Sequence, residues 1–99
     1  VLSNSGITIQ TLACTTAGTV YYSMPFAGDN YKKFIAYFSG YENDTTTNQT
    51  ITFPVAFTNT PIIVANNTGL SLSASTTTLT ITAPNNTTLY TGWVIIEGY

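Results

Sequence analysis

The chain of 99 residues is the size of one domain, and it carries two Lys, four acidic side chains, no Arg and no His, for a formal charge of −2. Without His there is no ordinary proton shuttle near neutral pH, and without Arg there is no planar fork for phosphate or carboxylate. Two cations cannot neutralise a run of phosphates, so neither nucleic acid nor a membrane surface is an expected partner.

Thr, Asn and Ser make up more than a third of the residues, so the surface is expected to act through hydroxyls, amides and rings. So little net charge also favours self-association, because little repulsion keeps copies apart. Cys14 is alone, which excludes an internal disulfide and a thiolate metal site and leaves a small hydrophobe. No apolar run reaches membrane-spanning length and none reads as a signal peptide. A start at Val1 leads to the expectation of an excised domain or a processed product.

In chain order, the first segment places Ile7 and Ile9 in one register and Leu12 and Cys14 in the other. A bulge or break near Gln10–Thr11 is expected to reconcile them. Val20, Tyr22, Met24 and Phe26 then alternate with Tyr21, Ser23 and Pro25, the period-two pattern of a strand with one wet face. A turn is expected at Gly28-Asp29-Asn30. Phe34, Ala36 and Phe38 make one apolar face, but Ile35 and Tyr37 make the other apolar too. Such a strand needs cover on both sides, either centrally within a sandwich or against another subunit.

The polar stretch from Glu42 to Asn48 reads as the longest loop. Ile51, Phe53, Val55 and Phe57 alternate with polar or small residues and predict a strand, and Asn59-Thr60-Pro61 predicts a turn. After a turn at Asn66-Asn67-Thr68-Gly69 come two more alternating runs, Leu70–Ala74 and Leu79–Ala83, and a turn at Pro84-Asn85-Asn86. Trp93, Val94, Ile95 and Ile96 are apolar on both sides, and the last segment, Gly92 to Tyr99, is expected to be tied into a sheet. No amphipathic helix is found. About eight short strands at this spacing predict an all-β chain, an antiparallel β-sandwich of Greek-key or jelly-roll type.

Three constellations bear on chemistry. Glu42 and Asp44, with Glu97 as a further partner, are the candidates to span a glycosidic bond, which takes a pair about 5–10 Å apart. Two acids in a polar loop are ordinarily just solvated, and nothing else in the chain suggests a catalytic cleft. The same loop offers oxygens to calcium, yet its spacing does not match an EF-hand, and neither metal nor cofactor is expected. Thirteen aromatics offer stacking platforms for sugar C–H faces; Tyr31, beside Asp29 and Asn30, and Tyr41, beside Glu42 and Asn43, are the best placed. Tyr21, Tyr22, Tyr37 and Trp93 read instead as packing residues with polar tips at an interface. Five glycosylation sequons, such as Asn66-Asn67-Thr68, are what chance gives in a chain this rich in Asn and Thr.

The order of three segments goes further than composition: Tyr31-Lys32-Lys33 through Phe34–Phe38 to Gly40-Tyr41-Glu42-Asn43, then Thr50-Ile51-Thr52-Phe53-Pro54 with Phe57 and Thr60-Pro61, and finally Gly92-Trp93 with Glu97-Gly98-Tyr99. This order resembles the C-terminal head domains of bacteriophage tail fibres and related receptor-binding proteins over residues 20–99. Residues 1–19 carry no match and are expected to be the end of a shaft or the first strand of the head.

The resemblance implies a homotrimer of β-sandwiches at the tip of a fibre in the virion, assembled in a bacterial cytoplasm and acting outside the cell. It implies contact with a host-surface glycan or protein. Ile35, Tyr37, Trp93, Val94 and Ile96 are then the expected subunit interface, and Asp29, Asn30, Tyr31, Tyr41, Glu42, Asn43 and Asp44 the expected receptor site. The competing expectations are a module that only trimerises and caps a fibre, a monomeric carbohydrate-binding module of a secreted protein and, least favoured, an enzyme.

Overall fold

A computed structural model of the chain describes residues 10–13, 17–27, 30–42, 48–82 and 88–99. Among these residues there is no helix, and so none long and apolar enough to cross a membrane. The strands are β1 (Gln10–Ala13), β2 (Ala17–Ala27), β3 (Lys32–Glu42), β4 (Gln49–Thr52), β5 (Ile62–Asn66), β6 (Leu72–Ala74), β7 (Thr78–Ile81) and β8 (Tyr90–Gly98). They form two antiparallel sheets, one of five strands in the order β1-β2-β3-β8-β5 and one of three in the order β4-β7-β6.

The alternation seen in the sequence decides which face is inside. Val20 and Met24 of β2, Phe34, Ala36 and Phe38 of β3, and Val94 and Ile96 of β8 are buried, and so are Ile51, Leu79 and Ile81 of the smaller sheet. All ten belong to one hydrophobic core shared by both sheets. Between the layers Phe53 links Phe34 to Phe57 through edge-to-face ring contacts, with centroids 4.9 and 5.1 Å apart.

Two structural findings revise the strand reading. The alternation over Ile51–Phe57 predicts one strand, but β4 ends at Thr52. Pro54 has no N–H to give a ladder, and the segment instead crosses between the sheets. The N–H groups of Phe53 and Phe57 donate to the carbonyls of Thr77 and Thr76, each at 2.8 Å, and that of Val55 donates to the Met24 sulfur at 3.2 Å. In addition, β1 pairs with β2 without interruption from Gln10↔Tyr22 to Ala13↔Thr19, so there is no bulge at Gln10–Thr11. The residues that prompted that expectation, Ile7, Ile9 and Cys14, lie outside those described.

The bulges occur elsewhere. Ser23 pairs with Ile35 but Phe26 with Lys33, which leaves one extra residue on β2 beside Pro25. On β3 both neighbours register an extra residue at the same place: Thr19 pairs with Ser39 and Ala17 with Glu42, while Phe38 pairs with Gly92 and Tyr41 with Tyr90. Gly40 sits in this bulge with φ +58°, the left-handed conformation that such bulges use. The extra residue reverses the alternation, so Tyr41, odd in number like Ile35 and Tyr37, turns into the core.

Candidate functional site

The register of the five-stranded sheet assembles its outer face. Thr11 lies opposite Tyr21, Tyr21 opposite Tyr37, and Tyr37 opposite Trp93, one row across four strands. The next row runs Ser23, Ile35, Ile95, Ala65, and the one after it brings Lys33, Glu97 and Ile62 side by side. Directly opposed side chains have Cβ atoms about 5 Å apart, so each row is a continuous surface. Tyr21 and Tyr37 are each 44% exposed and Trp93 is 41% exposed. A depression of about 180 Å³ lies among Tyr21, Ser23, Ile35 and Tyr37. The only charges in these rows, Lys33 and Glu97, meet at 3.7 Å. Apart from that ion pair this is a largely apolar face, and contiguous exposed rings and aliphatic chains of this kind mark an interaction surface.

Trp93 is held in place through its backbone. Its N–H donates to Asn67 Oδ1 at 2.6 Å and its carbonyl accepts from the Asn67 N–H at 3.0 Å. The adjoining turn is closed internally, with Asn66 Oδ1 accepting from the Thr68 N–H and hydroxyl and the Thr68 hydroxyl accepting from the Leu70 N–H. The Asn66 amide, the acceptor of one sequon, donates to the Leu70 carbonyl, so its side chain is engaged in the turn.

A groove of about 270 Å³ opens at one end of this face, lined by Tyr31, Asn59, Thr60, Ile62, Val64, Glu97, Gly98 and Tyr99. Tyr31 and Tyr99 meet edge to face, with centroids 5.6 Å apart and planes at 72°. The Tyr99 carbonyl accepts from the N–H groups of Thr58 and Asn59 at 2.7 and 3.0 Å, which fixes its backbone. In β5 the pairing moves from Ile63↔Ile96 to Ala65↔Ile95. This leaves a bulge at Val64, and Ile62 and Val64 are 71% and 56% exposed.

Several expected site residues are placed differently from the sequence reading. Tyr41 is fully buried, with its ring at 5.5 Å and perpendicular to Phe38, so it is not a stacking platform. Glu42 is the last residue of β3 rather than part of a loop. Asn30 is exposed and Tyr31 half-buried just ahead of β3, so these two lie at the opposite end of an eleven-residue strand from Glu42. That separation is about 35 Å at the usual rise per residue, and the two expected loops cannot form one site. Asp29, Asn43 and Asp44 lie outside the described residues.

Glu97 pairs with Lys33 near the start of β3, about 30 Å from Glu42 on the same reckoning. These two carboxylates therefore do not flank one bond. Among the described residues no three His, Cys, Asp or Glu side chains come together in a way that could hold a metal ion.

The expected interface divides by parity. Ile35, Tyr37 and Trp93 share the outer face, but Val94 and Ile96 are fully buried in the chain's own core and are unavailable to another subunit. Ile95 takes their place on the outer face. Sequence reasoning also missed Tyr99, Ile62 and Val64. Ile62-Ile63-Val64 is an unbroken apolar run and shows no alternation by which to assign a face.

Comparison of the chain with protein-family models, with curated proteins and with solved structures gives no match in any of the three.

Proposed function

We propose that the chain is a non-enzymatic receptor-binding head, a homotrimer at the tip of a bacteriophage tail fibre that binds a host-surface saccharide. The observation that carries this reading is the Tyr21–Tyr37–Trp93 row, an exposed aromatic band on a sheet face almost free of charge. Aromatic side chains in such a setting are enriched at interface cores, where charged residues are depleted. The order of the Tyr31–Asn43, Thr50–Pro61 and Gly92–Tyr99 segments, similar to that of fibre heads, supports the same reading. The chain passes repeatedly between the two sheets, in keeping with a sandwich of Greek-key or jelly-roll type.

In this reading Ile35, Tyr37, Trp93 and Ile95 meet neighbouring copies, and the receptor meets the end of the sheet that carries Asn30 and Tyr31. Weak contacts repeated on three heads give avidity without one strong site. The test is adsorption of the intact oligomer to host cells. Tyr31→Ala is expected to lower adsorption at least tenfold while leaving the oligomer intact, and unchanged adsorption would place the receptor site elsewhere. A purely structural cap accounts for the aromatic face just as well, but it would assemble and bind no cell.

A further inference from the structure

We infer that the groove beside Tyr31 and Tyr99 takes a neutral saccharide unit bearing a methyl substituent, as in a 6-deoxyhexose or an acetamido sugar. The inference rests on the receptor-binding reading above and narrows its ligand. The two rings meet at 72°, so together they form a corner, one wall presenting a ring face and the other a ring edge. A pyranose lays its C–H face on a tyrosine and leaves its hydroxyls pointing outward. Asn59, Thr60 and Glu97 line the same groove and offer polar groups for those hydroxyls.

What separates this groove from a generic sugar platform is its aliphatic wall. Ile62 and Val64 are exposed beside the ring corner, and water against them is displaced favourably only by an apolar group. A hydroxymethyl arm brings a hydroxyl against that wall, whereas a methyl brings only C–H. The groove holds about 270 Å³, below the range for drug-sized ligands, which suits one sugar unit with its substituent. Among the described residues its one charged side chain, Glu97, faces Lys33 at 3.7 Å, and no cation lines the groove to hold a phosphorylated ligand. An extended peptide is disfavoured because the bulge at Val64 interrupts the edge that a further strand would have to join.

The experiment is a titration of the ¹⁵N-labelled full chain, followed by amide shifts, with three matched pairs: L-rhamnose and L-mannose, L-fucose and L-galactose, N-acetylglucosamine and N-formylglucosamine. The first two pairs test a deoxy methyl and the third an acetyl methyl. At least one methyl-bearing member is expected to move the Asn59, Ile62, Val64 and Gly98 signals and to bind several-fold more tightly than its partner. Ile62→Ser, at a site open to solvent, is expected to keep the oligomer and to reduce that preference about fourfold, the value of one buried methylene-sized contact.

The inference is overturned if no methyl-bearing sugar moves these signals, or if Ile62→Ser leaves the preference intact. It is also overturned if Ile62→Ser dissociates the oligomer, since the wall would then belong to a copy–copy contact. Those outcomes leave the receptor-binding reading standing as long as the oligomer still adsorbs to cells. An oligomer that does not adsorb sinks that reading by itself.

Discussion

Gly18 and Gly40 face each other across the β2–β3 pair, and both have left-handed backbone, with φ of +84° and +58°. A Cβ on Gly18 would fall on the carbonyl oxygens of Ser39 and Gly40, whereas one on Gly40 would meet nothing. Gly18→Ala is therefore expected to cost at least 3 kcal/mol or so, combining backbone strain with overpacking, and Gly40→Ala only about 1–2 kcal/mol. Urea denaturation of the two variants checks the ranking. The same bulge explains why Tyr41 was misread from sequence. The motif showed a tyrosine beside acids and amides, but the single residue that reverses its direction is visible only in the pairing of two neighbouring strands. Val94, Ile95 and Ile96 give a parallel case. Three consecutive apolar residues must include both faces of a strand, and composition does not say which is inside. Ile96→Ala is expected to cost about 2–5 kcal/mol of folding stability, as for a fully buried side chain. Ile95→Ala, half-buried on the outer face, should cost about 1 kcal/mol in the isolated chain; equal losses in denaturant titrations would contradict the assigned faces.

At the scale of elements, strands with one wet and one dry face were legible because Thr and Ser mark the wet side. The run Leu79–Ala83 gives β7, and the alternation from Val20 gives β2. The Phe53–Phe57 segment was not legible, because a chain crossing between two layers sends alternate side chains into the core just as a strand does. Only Pro54 argued against a ladder. Since the Phe53 and Phe57 N–H groups are bonded to Thr77 and Thr76, their amides are expected to exchange as slowly as those of β4. Fast exchange at both positions, measured by NMR in D₂O, would mean that the crossover is not fixed. β5 escaped notice for the opposite reason, since Ile62-Ile63-Val64 offers no alternation. That omission hid the aliphatic wall of the groove, and its aromatic corner needed Tyr31 and Tyr99 brought together from distant positions in the chain.

For the molecule as a whole, one face of the larger sheet builds the core with the smaller sheet, and the other face presents aromatic and aliphatic side chains to water. Burial of the Ile35, Tyr37, Trp93 and Ile95 part of that second face against further copies is the central claim. Because the contact rests on apolar surface with a single ion pair beside it, association is expected to survive raised salt, unlike a charge-driven assembly. Sedimentation equilibrium of the full chain and of a Tyr37→Lys, Trp93→Lys variant tests the claim most directly. The account predicts a mass about three times the 10.6 kDa of one chain for the parent, at low and high salt alike. For the variant it predicts a single-chain mass with an unchanged β-sheet circular dichroism spectrum. A parent that sediments as a single chain, or a variant that stays assembled, would contradict it.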